Sequence, residues 1–387
     1  EARALAHAAA LARWTSALFW LLCLANFARY IGYPWPAVRA LELKATLGLD
    51  AGSVAGLSSI VAAVAMPMTL LTPWALQRFG AVALLYFVAA VSVVGVTLEI
   101  VGFGADSYVT LLAARGLYGC GAVLTTVSPI LMLSYLPLNK FGTLYSVLNL
   151  CGGVGVTAAM AYVPQLDLSD FLASRVASVA LQVACSAACH VAVRRITALK
   201  RQDATLASVT ATVAHEAAAH AVAAEADVTH NEGKYGTWAV MRAVGEPGVL
   251  ASFLWAFKWA IDWGWDSIAP QVLAARDGMP TTDSGLWLSV AGTLITLIGP
   301  MAGWVVDRTA HRLPFYIVAC ATIAAVHLAM ATTDADPIWL IMVRAVGSGV
   351  VTPIVYGVIP QIASEQQRPQ VLGVAQFVGS LAINGCV

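Results

Sequence analysis

The sequence predicts an all-α polytopic membrane protein: two six-helix bundles related by a pseudo-two-fold axis, with the twelfth helix missing from this chain. Three observations predict it. Of 387 residues, 59% are hydrophobic and only 11% charged, where a soluble chain carries roughly 25%. The apolar residues gather into runs of about 20, the length that crosses a bilayer as a helix. Finally, short motifs recur at one nearly constant spacing, the mark of a duplicated unit.

Eleven runs qualify as spans: 14–35, 53–76, 81–103, 108–135, 141–163, 171–193, 248–273, 285–305, 313–332, 337–360 and 369–387. The last reaches Val387 and is read as truncated. The run Trp14–Tyr33 is too long for the apolar part of a cleaved leader. With these spans, Arg3, Arg13, Arg78, Lys140, Arg194, Arg195, Lys200, Arg201, Lys234, Arg242, Arg308, Arg312 and Arg368 fall on one side. Only Arg39, Lys44, Arg175 and Arg276 fall on the other, which carries Asp50, Asp106, Asp167, Asp170, Asp277, Asp283, Asp334 and Asp336 instead. Basic loops stay in the cytoplasm, so the N-terminus and the central loop are expected there.

Three segments follow: an N-terminal bundle over 1–196, a cytoplasmic linker over 197–246 and a C-terminal bundle over 247–387. The linker is rich in Ala, His and Glu around Thr205–Asn231 and is read as partly helical or disordered, with room for a protein partner. Its His215, Glu216 and His220 do not make a zinc-protease motif. That motif needs histidines four apart on one face; five apart puts them about 140° around a helix. The seven cysteines all lie in apolar stretches and form no CxxC, so they read as small buried residues. Formal net charge is zero, which offers no basic field for nucleic acid. There is no P-loop, nucleophile elbow or metal-ligand cluster; no cofactor, metal or catalytic residue is expected.

The repeat joins Arg115-Gly-Leu-Tyr-Gly-Cys-Gly121 to Arg344-Ala-Val-Gly-Ser-Gly349, 229 residues on. Gln77-Arg78 answers Asp307-Arg308 at 230, and Gly142 answers Gly373 at 231. The same arithmetic maps Arg29 in span 1 onto Lys258 in span 7, and duplicated bundles build their sites where the halves meet.

Span 7 carries Lys258, Asp262 and Asp266 four residues apart, on one stripe of the helix. Each such charge costs a few kcal/mol to insert, so it faces water or a partner. Lys258 and Asp262 can neutralise each other as an i,i+4 pair, or Lys258 can join Arg29 in favouring an anionic solute. Asp266 is left to pair Arg29, to accept a substrate amine or to carry a driving proton. Arg29 has a second reading, snorkelling to the interface beside Tyr30 and Tyr33. Glu99, late in span 3, is either a solvated interfacial acid or a second proton carrier. Trp259 and Trp263 flank the stripe and can close around a solute. Asn149 and Gln376 hold equivalent places in spans 5 and 11, where an amide can bond a solute. Arg115 and Arg344 read as residues of the extracellular mouth or of helix packing, Gly152, Gly153 and Gly155 as close-approach residues, and Pro129 and Pro353 as symmetric helix breaks.

Gly303-Trp-Val-Val-Asp307-Arg308-Thr-Ala-His-Arg312 resembles the G-x-x-x-D-R-x-G-R loop of the major facilitator superfamily. Arg115 with Gly119 and Gly121 resembles that family's fourth-span pattern. The resemblance covers nearly the whole chain and implies a secondary transporter, with Arg78, Asp307, Arg308 and Arg312 as gating residues. The first-half loop, Trp74-Ala-Leu-Gln77-Arg78-Phe-Gly80, has Gln77 where the family places an acid. Tyr30-Ile-Gly-Tyr33-Pro-Trp-Pro36-Ala, Pro360-Gln-Ile-Ala-Ser-Glu365 and Gly373-Val-Ala-Gln376 are similar to a lysosomal dipeptide-transporter branch. Val123, and Gly152 or Gly153, stand where that branch carries a glutamate and an arginine, so peptide specificity is not carried over.

The expected function is therefore alternating-access transport of a small carboxylate-bearing solute (organic anion, amino acid or short peptide), coupled to protons. The alternative is a transport-inactive scaffold or receptor subunit, which would gain nothing from buried charges.

Overall fold

The computed structural model describes residues 2–136, 141–215, 276–309 and 312–362, with Leu254, Lys258, Trp265, Ala269, Val272, Leu273, Val371, Val374, Ala375 and Val378 as single positions. Among the described residues every regular element is helical. The helices are α1 (Ala2–Ile31), α2 (Trp35–Val38), α3 (Ala40–Leu47), α4 (Ala51–Gly104), α5 (Tyr108–Cys120), α6 (Val123–Tyr135), α7 (Phe141–Tyr162), α8 (Leu168–His215), α9 (Thr281–Thr309), α10 (Arg312–Thr332) and α11 (Pro337–Ile362), with one 3₁₀ turn at Val163–Gln165.

Among the described residues, eight helical stretches are long and apolar enough to cross a membrane. They cover nine of the eleven expected spans, because spans 2 and 3 both fall within α4, as two helical stretches joined at the non-helical Gly80. Gly80 bends it, with φ 81° and ψ 160°, a conformation open to glycine but strained for other residues. The other two spans, 248–273 and 369–387, lie largely outside the described residues.

Four helices that start on the acid-rich face start at a side-chain cap. Asp50 accepts the Ser53 amide at 2.6 Å, Ser107 that of Thr110 at 3.4 Å, Asp167 that of Asp170 at 2.8 Å and Asp336 that of Ile338 at 2.8 Å. Free amides at a helix start need such acceptors. The acidity of this face is thus partly a capping pattern, not only a matter of sidedness.

In the N-terminal half α1 packs on α7 and α8, and α4 on α5, α6 and α8. Leu18, Leu22, Leu124, Tyr145 and Ile196 belong to one buried cluster, and Trp35, Leu57, Phe103, Leu111 and Phe171 to another. In the C-terminal half Trp265, Ala291, Val326, Ile341 and Ala345 form a third. Large apolar side chains such as Val101, Val191, Leu297, Ile317, Val318 and Leu328 are exposed on the helix exteriors. A surface this apolar fits lipid rather than water.

The duplication is visible in contacts. Arg115 stacks over Trp35 at 5.7 Å, and Arg344 over Trp265 at the same 5.7 Å. A methyl group added at Gly119 would lie 2.6 Å from the Val61 carbonyl, and one at Gly349 would lie 2.9 Å from that of Ile295. The symmetry is incomplete: Trp35 donates to Glu99 at 3.1 Å, while Trp265 Nε1 has no partner among the described residues and its ring meets His327 edge-on.

Gly155 sets the approach of α7 to α1. A methyl there would lie 2.6 Å from the Phe27 carbonyl oxygen and 3.3 Å from the Ile31 nitrogen, both backbone atoms that cannot swing aside. Gly155→Ala is expected to destabilise the protein by about 1–3 kcal/mol through overpacking. A thermal unfolding midpoint equal to the parent's would show that the helices are not this close.

Three expectations change. Pro129 does not break span 4: α6 runs through it, and the break falls at Gly121–Ala122. Pro353 likewise lies inside α11. Arg175 is not a loop cation but a buried residue of α8, and Glu99 is buried rather than solvated. Helix α8 continues to His215, so the first part of the segment read as a partly helical linker is helical.

Candidate functional site

Two polar features stand out in the described part of the molecule. The first lies inside the N-terminal half. Glu99 of α4 is 1% exposed, and Arg175 of α8 is 3% exposed. Arg175 grips Glu99 with two bonds, Nε to Oε2 at 2.8 Å and Nη2 to Oε1 at 3.1 Å. Trp35 Nε1 adds a third, to Oε1, at 3.1 Å. A carboxylate this deep is tolerable only with such partners.

Arg115 donates to three backbone carbonyls: Leu57 at 3.1 Å, Gly32 at 3.0 Å and Tyr33 at 3.0 Å. It thereby pins the segment between α1 and α2. Arg29 and Tyr118 clasp each other. Arg29 Nη2 donates to the Tyr118 carbonyl at 3.1 Å, and the Tyr118 hydroxyl donates to the Arg29 carbonyl at 2.5 Å. The guanidinium lies 4.5 Å from the Tyr118 ring centre, within cation–π range.

This clasp accounts for the break between α5 and α6. In a continuous helix the Tyr118 carbonyl would take the Ala122 amide, four residues on. Instead the Ala122 amide turns to Gly119 at 2.9 Å, leaving the Tyr118 carbonyl to the Gly121 amide and Arg29.

The second feature is the seam between the halves, where α7 packs on α9. Gly142 meets Asp307, Gly153 meets Thr296, Thr157 meets Gly292 and Met160 meets Ser289. These pairs run in strict antiparallel register over the 22 residues of α7, about 33 Å at helical rise. Small residues allow the contact. One end is fastened: Asp307 accepts both the amide and the hydroxyl of Thr143, each at 2.9 Å, on the first turn of α7. Arg312 lies 3.6 Å from the other Asp307 oxygen. Within α7, Asn26 of α1 donates to the Leu148 carbonyl at 2.9 Å, whereas the neighbouring Asn149 Nδ2 is buried without a partner among the described residues.

The residues singled out from the sequence are dispersed among these features. Arg29 and Glu99 line one cavity of the N-terminal half. Tyr30 packs where a side chain on Gly152 would stand, and its ring lies 6.2 Å from that of Tyr33. Asn149 and Asp307 belong to α7 and α9 of the seam. Arg308 stacks on Trp304 at 4.8 Å, and Arg78 lies two residues before the bend of α4. Lys258 is helical and half-buried. Asp262, Asp266, Trp259, Trp263 and Gln376 lie outside the described residues, so the span-7 stripe is represented by Lys258 alone. Sequence reasoning missed the polar roles of Arg175 and Tyr118. The signal for Arg175 was present, since it falls inside the apolar run 171–193 and not before it.

Two packed helical halves with apolar exteriors and buried, paired charges define a multi-pass integral membrane protein. A family model described as Major Facilitator Superfamily matches residues 18–384, and the chain belongs to that superfamily. Solved structures agree on the fold. The proton:xylose symporter XylE aligns with TM-score 0.69 at 15% identity, covering 97% of this chain and 88% of its own. The human organic anion transporter MFSD10 aligns with TM-score 0.66 at 16% identity, over 97% and 91%. A bacterial homologue of the iron transporter ferroportin, in an outward-facing state, aligns with TM-score 0.68 at 13% identity, over 96% and 90%. No curated protein sequence is significantly similar to the chain.

Proposed function

We propose that this transporter moves a small carboxylate-bearing solute by alternating access, the two halves rocking about the α7–α9 seam. The observation that carries the reading is the seam: small residues along its length and a separable polar clasp, Asp307 on Thr143, at one end. Such a clasp can release without breaking a helix, which is what a gate between rigid halves requires. Arg308, Arg312 and Arg78 share this end of the molecule with Asp307 by the sidedness of their loops. The basic loops favour the cytoplasm for this end, and in this reading the clasp closes the path on that side.

In this reading the solute sits between the halves. Lys258 is the cation for its carboxylate, and Asn149 offers an Nδ2 donor that has no partner among the described residues. Tyr30 and Tyr33 border the path, with Trp259, Trp263, Asp262 and Gln376 completing it. Asp266 carries the coupled proton, with Glu99 as the second candidate. Purified protein in liposomes should exchange labelled organic anions, amino acids or dipeptides in counterflow. Asn149→Leu is expected to lower that exchange at least fivefold by removing a solute hydrogen bond of about 1 kcal/mol or more, with an unchanged unfolding midpoint. Absence of counterflow for every carboxylate tried would sink the assignment.

A further inference from the structure

Helices α4 and α8 pack against each other in antiparallel register. Inside the bundle Glu99 meets Arg175; farther along, on the outside, Tyr86 meets His190. The Tyr86 hydroxyl lies 2.9 Å from His190 Nδ1, and the two rings meet edge-on. About 20 Å of helix separates the two contacts. The same register sets Arg194 about level with Gly80, the bend of α4, at the end of the molecule that also carries Arg78 and Arg195.

Tyr86 is 42% exposed on the apolar exterior. Whichever way the shared proton sits, its pair with His190 keeps one donor to spare. If the Tyr86 hydroxyl donates to Nδ1, His190 carries a proton on Nε2; if Nδ1 donates, the Tyr86 O–H is left over. A spare donor at the edge of hydrocarbon needs an acceptor. Arg194 stands one turn farther on, about 40° around the helix from His190. It is exposed, and no hydrogen bond or ion pair holds its guanidinium among the described residues. Ala187 and Ala180, on the bilayer side of Arg194, are exposed within about 40° of the same line. Their methyl groups leave the helix surface low there, with Tyr86 standing beside it.

We propose that this face of α8 binds one anionic glycerophospholipid. Its phosphate sits on Arg194, whose paired N–H groups match phosphate oxygens. A glycerol ester oxygen takes the spare donor of Tyr86 and His190, about 6 Å back along the helix, within the reach of one glycerophosphate group. An acyl chain lies over Ala187 and Ala180. A zwitterionic lipid offers the same phosphate but brings a cation of its own to the arginine. A second copy of the chain is disfavoured on this face, because a two-fold axis along the membrane normal would set the two Arg194 groups at one level, charge against charge. Tyrosines and snorkelling arginines line any bilayer boundary; here a free guanidinium, a spare donor and a low apolar track share one helix face.

The test uses the full-length protein, purified in detergent and stripped of lipid. Dioleoyl phosphatidylglycerol or dioleoyl phosphatidylcholine is titrated in, and bound lipids are counted by native mass spectrometry. One phosphatidylglycerol is expected to bind at least fivefold more tightly than phosphatidylcholine. Arg194→Gln should lower its affinity about fivefold. Arg195→Gln removes the same charge about 100° around the helix and should change the affinity less than twofold. Equal affinity for the two lipids would overturn the proposal without any variant. Equal losses in both variants would also overturn it, reducing the arginines to a diffuse surface charge. Dimers in place of lipid adducts would overturn it in favour of a second copy on this face. The site lies outside the proposed solute path, so solute counterflow and lipid binding fail or succeed separately.

Discussion

Glu99→Leu is expected to lower the unfolding midpoint on the order of 5–10 °C, more than any other single change considered for the N-terminal half. The carboxylate is the only described acid in contact with Arg175, and it also receives Trp35. Removing one member of a buried pair leaves the other charged and unmatched, at about 3–5 kcal/mol. Here the orphaned Arg175 would also face Arg29 and Arg115 across the same core. The effect reaches beyond α8, because Trp35 begins α2 and sits in the cluster with Phe103 and Phe171. The double replacement Glu99→Leu with Arg175→Met should recover most of the loss, since an apolar pair of similar volume replaces an ion pair at little net cost. Thermal unfolding of the parent, both single variants and the double variant measures the coupling. Additive losses in the double variant would show that the pair does not act as a unit.

Asp307→Ala is expected to open the seam. The Asp307 carboxylate takes two bonds from Thr143 at the start of α7, where the free amides and the helix dipole both favour a negative charge. Hydrogen bonds to a charged group contribute about 1.5–3 kcal/mol each. If the halves separate at this end during transport, losing one such bond shifts the equilibrium at least tenfold toward the open state. Ser146 reports the shift. It lies one turn into α7, buried, with its Cβ 3.7 Å from where a side chain on Gly299 would begin. A cysteine placed at Ser146 should react with a soluble thiol reagent at least tenfold faster in the Asp307→Ala background. An unchanged rate would mean that the clasp does not hold the halves together. Asp307→Asn keeps an acceptor for Thr143 and should fall between the two.

Most of the architecture was legible in the sequence, for a physical reason. In lipid the backbone must satisfy its own hydrogen bonds, so an apolar run of sufficient length has helix as its one solution. The acids at 50, 167 and 336, read from the sequence only as a sign of sidedness, prove to cap helices, and the bend at Gly80 came from the structure. The repeat spacing correctly paired Arg115 with Arg344, whose matching contacts with Trp35 and Trp265 confirm the duplication. The site was less legible. Arg29 and Glu99 stood out as charges in apolar runs and Asp307 through the gate-loop motif, but their partners did not. Arg175 was counted with the loops.

The sequence by itself determined the solvent, the number and order of most spans, the duplicated plan and the residues too expensive to be idle. Tertiary structure alone decided which of them meet. A charge on a helix has a direction set by how that helix rotates against its neighbours, and rotation follows from packing many side chains at once. Only that packing brings Arg175 from α8 onto Glu99 of α4. Likewise, only the reach of Arg29 to the Tyr118 carbonyl places the break of the fourth span at Gly121 rather than at Pro129. A proline removes one amide from a helix, which the rest of α6 tolerates. A guanidinium that claims a carbonyl from outside redirects the bond pattern itself.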